Sequence, residues 1–101
     1  MTEEEKIFAG KLFDARKKEL TDIKHKAHAL CQEYNRLDEY DERRPEIIRE
    51  MLGKVGKKFH FQGPIQFNYG THTYIGENFF ANFDLMVMDD GPIHIGDTPH
   101  L

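Results

Sequence analysis

Apolar positions in the first half of the chain recur at helical spacing. Ile7, Phe8, Leu12 and Phe13, with Ala9 between them, predict a first helix over residues 3–13. Thr2 followed by Glu5 fits a capping box, in which each side chain accepts from the other residue's backbone N–H. Leu20, Ile23, Ala27, Leu30, Tyr34 and Leu37 follow one another in steps of three and four, so they share one face of a second helix. Lys17, Lys18, Lys24, Lys26, Glu33 and Arg36 mostly fall elsewhere, as a solvated face requires. A third helix is predicted to begin near Asp41 to Pro45, since proline is tolerated in a first turn. Ile47, Ile48, Met51, Leu52 and Val55 form its apolar face, and Gly53 and Gly56 mark its end.

The period changes at residue 59. Phe59, Phe61, Ile65 and Phe67 alternate with polar or small residues, a strand signature. A six-residue rhythm then runs through Tyr69-Gly70, Ile75-Gly76, Ala81, Val87 and Ile93. A second Ile-Gly pair, Ile95-Gly96, lies 20 residues after the first, three hexads plus two residues. In a hexapeptide β-helix each hexad supplies one short strand and one turn, and one aliphatic side chain per hexad points inward. Three hexads close a triangular coil. The two extra residues predict a loop at Asp89-Asp90-Gly91-Pro92, a strong turn sequence. An antiparallel meander turning at Asp89–Pro92 also fits the spacing. The two Ile-Gly-acidic units, Ile75-Gly76-Glu77 and Ile95-Gly96-Asp97, favour the coil. The favoured reading is therefore α+β: helices over 1–58, then the first coils of a hexapeptide-repeat β-helix over 59–101.

Charge follows the same division. The chain of 101 residues has a net charge of −4, yet all 14 Lys and Arg lie in residues 1–58. Residues 59–101 hold five acids, no Lys or Arg, and eight of the 12 aromatics. An acidic balance without a basic patch argues against nucleic acid as a partner. No stretch reaches the ~20 apolar residues of a membrane span. The acidic N-terminus lacks the features of a signal peptide. With a single cysteine, Cys31, these features point to a cytoplasmic protein. Cys31 lies on a helix face and reads as a buried structural thiol.

Other candidate groups have bland readings beside sharp ones. His25 and His28 lie three apart on the second helix but lack a third metal ligand on that face, so they read as solvent-exposed. Lys17-Lys18 and Arg43-Arg44 read as solvated charges rather than phosphate sites. His60, His72 and His94 are each a conceivable base or ligand, and each reads as an exposed strand or loop residue.

Four stretches carry a family resemblance. They are Ala9-Gly10-Lys11-Leu12-Phe13, Tyr34-Asn35, Phe67-Asn68-Tyr69-Gly70, and the block from Asn78-Phe79-Phe80-Ala81-Asn82-Phe83-Asp84 through Asp89-Asp90 to Pro92-Ile93-His94-Ile95-Gly96-Asp97. Together they resemble the N-terminal part of the maltose/galactoside O-acetyltransferase family of hexapeptide-repeat acyltransferases. The resemblance implies a left-handed parallel β-helix and acetyl transfer from acetyl-CoA to a sugar hydroxyl, with a histidine as general base. It implies acetyl-CoA as a co-substrate rather than a tightly bound cofactor, a sugar acceptor, and a homotrimer with sites between subunits. Asn82 matches a residue that contacts the acceptor, and Asp90 an acidic residue that contacts sugar hydroxyls. Asn68 matches a further acceptor-side position. Phe80 matches an aromatic that is Tyr in galactoside-type members, which leans toward a maltose-type acceptor.

The sequence also departs from the family. The family continues through further hexads to a Thr-His-Pro-like stretch that holds the catalytic histidine. Here Thr98-Pro99-His100-Leu101 follows directly, and His100 is no positional match. The family's acidic acceptor residue near the first helix aligns poorly around Asp14 and Ala15 and is not carried over. No catalytic, cofactor-binding or metal-ligating residue is therefore assigned. The expectation is a truncated acetyltransferase chain, inactive alone. The competing reading is a non-catalytic oligomerisation or interaction module, which a monodisperse, cooperatively folding monomer would contradict. A zinc enzyme on the same scaffold is a third reading, tested by metal analysis.

Overall fold

The computed structural model describes residues 1–96; Asp97 and His100 lie outside the described residues. Three helices precede six short strands: α1 (Glu3–Phe8), α2 (Lys18–Arg36), α3 (Arg43–Met51), β1 (Phe59–Phe61), β2 (Ile65–Phe67), β3 (Thr73–Ile75), β4 (Phe79–Ala81), β5 (Leu85–Val87) and β6 (Ile93–Ile95). No helix among the described residues is long and apolar enough to cross a membrane.

The α1 capping box forms as its residues predict. Thr2 Oγ1 accepts from Glu5 N at 3.0 Å, and Glu5 Oε1 accepts from Thr2 N at 3.0 Å. The helix stops at Phe8 rather than residue 13. Gly10 turns the chain with φ +71°, a left-handed conformation that glycine adopts without penalty. Asp14 N then donates to Glu3 Oε1 at 2.8 Å, which ties the return segment to the start of the helix. Phe8, Leu12 and Phe13 are consequently exposed, and only Ile7 of the expected stripe is buried.

In α2, Leu20, Ala27 and Tyr34 are buried as the stripe requires, and Cys31 joins them. In α3, Ile47, Ile48 and Met51 are buried. These faces share one core with Phe61, Ile65, Phe67, Ile75 and Ala81, so the helices lie against the strands. A smaller cluster of Ile7, Leu20 and Tyr69 joins α1, α2 and the chain after β2. Asn35, just inside the end of α2, fastens the two parts. Its side chain donates to Ile65 O at 2.9 Å and accepts from Ile65 N at 2.8 Å, as a neighbouring strand would.

The strands pair only in parallel: β1 with β4, β2 with β5, β3 with β6. Phe59 faces Phe79, Ile65 faces Leu85 and Thr73 faces Ile93, a constant offset of 20 residues. The antiparallel meander is excluded, since each strand pairs with the strand three places on. The first and third residues of β2 and β3 are buried, and each middle residue is less so. Two side chains per strand therefore point inward, where the hexad reading allowed one.

The extra residues also fall differently from the expectation. The turns 62–64, 76–78 and 82–84 have three residues, whereas 68–72 and 88–92 have five. The insertion at Asp89–Pro92 is present, and a matching one occurs one coil earlier. The third residues of successive strands therefore run Ile75, Ala81, Val87 and then Ile95, while Ile93, paired with buried Thr73, is the first inward residue of β6 rather than the next hexad position. Tyr69 lies in the earlier insertion, not on a strand.

Burial raises the ionisation range of three acidic hydrogens in this core. The Cys31 thiol is pushed up chiefly by desolvation, as are the Tyr34 and Tyr69 phenols. For groups whose pKa is raised by folding, stability is complete below the unfolded value and lost as pH climbs through the folded one. The urea midpoint should therefore fall steadily above about pH 8.5–10, the ordinary thiol and phenol range. A midpoint unchanged through that range would show that burial does not disfavour these ions.

Candidate functional site

The two five-residue loops stack at one corner of the coil, and their side chains meet there. Asp89 is the anchor. Its buried carboxylate accepts from Tyr69 N at 2.7 Å and from Thr73 Oγ1 at 2.8 Å. Its own carbonyl oxygen lies 2.9 Å from His72 Nδ1, which must donate because a carbonyl can only accept. Asp89 thus spans the first loop from end to end and holds the second loop against it.

Asp90, the next residue, is turned outward and exposed. Asn68 Nδ2 donates to its Oδ1 at 2.5 Å. Asn68 is also fixed through its backbone, whose N–H donates to Val87 O at 3.1 Å. A third group reaches this pair from the helices: His28 Nε2 lies 3.1 Å from Asn68 Oδ1. The corner therefore presents an exposed carboxylate, an amide and an imidazole in one connected chain. Such a set can exchange hydrogen bonds with a polar, hydroxyl-bearing ligand.

The structure brings together Asn68 and Asp90 but not the other two expected site residues. Phe80 is the outward residue of β4, 58% exposed, and stacks on His60 with ring centroids 5.6 Å apart. Asn82 follows β4 at the next corner, exposed, and its side chain makes no hydrogen bond among the described residues. The whole of β5 separates it from Asp90. Of the four expected positions, Asn68 and Asp90 thus share one corner, whereas Phe80 lies on β4 and Asn82 on the turn that follows it.

Three basic or imidazole groups differ from their bland readings. His28 is half-buried and bonded to Asn68 rather than free in solvent. His72 is fully buried: it stacks on Tyr69 at 4.3 Å and lies 3.1 Å from Glu4 Oε1. Arg44 is 4% exposed rather than solvated. Its guanidinium lies over the Tyr34 ring at 4.1 Å, and Nη2 donates to Gln62 O at 2.8 Å and to Phe61 O at 3.3 Å. It closes the turn after β1. Cys31 is buried as expected, with Sγ accepting from Phe67 N at 3.4 Å. Among the described residues, no three His, Cys, Asp or Glu side chains converge where a metal ion could be held.

Sequence reasoning missed His28 as part of this corner. Its partner is 40 residues away, and nothing in local spacing connects them. Asp89 carried a signal, the Asp89-Asp90 doublet, but its burial shows only in three dimensions.

Comparison with known proteins gives a consistent picture. The maltose acetyltransferase hexapeptide capping motif matches residues 6–56. The chain is 37% identical over 95 residues to galactoside O-acetyltransferase of Escherichia coli, covering 93% of this chain and 47% of that protein. The fold is similar to a maltose O-acetyltransferase from Clostridium difficile, with a TM-score of 0.89, 37% identity, and coverage of 97% of this chain and 53% of the other. It is also similar to a hexapeptide-repeat-containing acetyltransferase from Vibrio cholerae, complexed with acetyl-coenzyme A. There the TM-score is 0.86 at 33% identity, covering 95% of this chain and 52% of that one. The chain spans about half the length of the relatives it matches.

Proposed function

Because the chain belongs to the maltose/galactoside O-acetyltransferase family of hexapeptide-repeat acetyltransferases, we propose that it carries the acceptor side of an acetyl-CoA-dependent sugar O-acetyltransferase site. The observation that supports this most is the direct contact of Asn68 with Asp90 at an exposed corner. Both are positions that the resemblance links to the sugar. In this reading the strand pairs are the first coils of a left-handed β-helix. Asp90 accepts hydrogen bonds from sugar hydroxyls, and Asn68 holds that carboxylate in place. Phe80 offers a ring face without a phenol hydroxyl, which suits a maltose-type acceptor.

Phe80 and Asn82 sit on β4 and the turn after it, so one chain presents two halves of a site facing different ways. A homotrimer reconciles them: Asn82 of one subunit would complete the corner formed by Asn68 and Asp90 of the next. The outward residues near Asn82 support such a contact. Phe80, Phe83, Met86 and Met88 are all more than half exposed, at 58%, 68%, 68% and 57%. Desolvating so many large apolar side chains would favour association. The same surface suits the second reading, a non-catalytic oligomerisation module.

Acetyl transfer needs a general base within hydrogen-bond reach of the acceptor hydroxyl. No residue of the 101 matches the family's catalytic histidine. Purified chain mixed with acetyl-CoA and maltose should therefore release no free thiol above a protein-free control. Turnover lost on Asn82→Ala would overturn the inactivity while supporting the site. Turnover that ignores both Asn82 and Asp90 would overturn the site as well. Sedimentation should give about three times the chain mass of 11.9 kDa. A monomer would contradict the shared site.

A further inference from the structure

The hydrogen-bond chain at the corner has a fixed direction, set by its outermost member. The Asp90 carboxylate can only accept, so the Asn68 atom that faces it must be the NH2 nitrogen. The amide oxygen then faces His28, and an amide oxygen also only accepts. His28 Nε2, 3.1 Å away, must therefore carry a hydrogen. Each step follows from the one before, from carboxylate to amide to imidazole.

Only one of these three residues lies on an element outside the coil. His28 lies on α2, which is fastened to β2 through Asn35 and Cys31 and to β1 through the Tyr34 hydroxyl, which donates to Phe61 O. Asn68 lies on a loop, and its side-chain amide could turn over if its oxygen had no donor to meet. Reversing the amide would set its oxygen against the Asp90 carboxylate at 2.5 Å, a repulsive contact between two acceptors.

We infer that His28 is a positioning residue for the acceptor site: by donating Nε2–H to Asn68 Oδ1 it holds the Asn68 side chain in the orientation that the Asp90 carboxylate requires. This inference rests on the acceptor reading of Asn68 and Asp90 given above. The helical segment then does more than cover the coil, because it sets the orientation of a sugar-facing group 40 residues away. Both the neutral Nε2–H tautomer and the imidazolium donate from this atom, so the arrangement survives protonation of the ring. Glutamine at position 28 can also donate through its amide, whereas leucine cannot.

The test uses the nitrogen-15-labelled 101-residue chain, with His28→Gln and His28→Leu beside it. In the unsubstituted protein the neutral His28 ring should be in the Nε2–H form, seen by long-range proton–nitrogen correlation. Exchange of the Asn68 NH2 hydrogens should quicken about fivefold or more in His28→Leu and stay within about twofold in His28→Gln. Maltose affinity, followed by titration of the same spectra, should fall about fivefold in His28→Leu and recover in His28→Gln. An Nδ1–H ring, or Asn68 exchange unchanged by His28→Leu, would overturn the inference. Intact ring and exchange signatures in a chain that ignores maltose would support the hydrogen-bond chain and overturn the acceptor reading. The two failures are thereby distinct.

Discussion

Asp89→Ala should remove about 2–5 kcal/mol of stability, because it strips two buried donors of their acceptor at once. Asp89 is wholly buried, and its two carboxylate oxygens serve different partners. Tyr69 N–H belongs to the first five-residue loop, and Thr73 Oγ1 to the strand that follows it. Alanine leaves both donors facing a small cavity that apolar neighbours cannot satisfy, and each unpaired buried donor costs about 1–3 kcal/mol. The loop 68–72 would lose its internal brace, and His72 would lose the carbonyl geometry that orients its ring. Asp89→Asn should lose less, because its oxygen can face Tyr69 N while its NH2 donates to Thr73 Oγ1. Urea denaturation of both variants checks the ordering. A loss below about 1 kcal/mol for Asp89→Ala would show that the loops are not held through this carboxylate.

Phe67→Ala should cost about 3–5 kcal/mol, whereas Met86→Ala should stay within about 0.5 kcal/mol when both are measured at a concentration low enough to keep the chain dissociated. Phe67 is the third residue of β2 and wholly buried, with its ring edge-to-face on Phe61 at 6.2 Å. It sits where α2 crosses the strands, and its backbone N–H meets the Cys31 sulfur. Removing the ring opens a cavity at the point where helices and coil share their core. Met86 is the middle residue of the paired strand, and its side chain projects into solvent. The contrast tests the strand register directly, since a shift of one residue would exchange the two roles. Comparable losses at both positions would contradict the inward and outward assignment.

Much of this architecture was readable from side-chain periodicity. The α2 stripe places Leu20, Ala27 and Tyr34 in the core, because a three-to-four repeat has only one geometric solution on a helix. Ile75, Ala81 and Val87 likewise mark consecutive inward positions of the coil. The phase error at Tyr69 has a physical cause. Tyr69-Gly70 stands six residues before Ile75-Gly76 and imitates its composition, and Tyr69 is indeed buried. It is buried against Ile7 and Leu20, however, and not along a strand. Burial alone cannot separate a loop anchor from a coil position. The overlong first helix has a different cause: the apolar spacing continued past Gly10, but the backbone turned there.

Half of the candidate site was also legible, through Asn68 and Asp90, but only with the family resemblance behind them. Position along the chain could not show that Asn82 and Phe80 lie away from that corner, since that depends on how coil corners follow one another. Nor could it reveal Arg44. A doublet of arginines reads as surface charge, whereas the partners of Arg44 are the carbonyl oxygens of Phe61 and Gln62, groups that leave no trace in side-chain identity. His72 and His28 were hidden for the same reason, with partners 68 and 40 residues distant.

The central claim is that the corner formed by Asn68 and Asp90 receives a sugar. Titrating maltose into nitrogen-15-labelled chain while following amide resonances tests it most directly. The account predicts saturable shifts centred on Asn68, Asp90 and the adjoining loops, abolished by Asp90→Ala. Shifts confined to other surfaces, or shifts at this corner that survive Asp90→Ala, would contradict it.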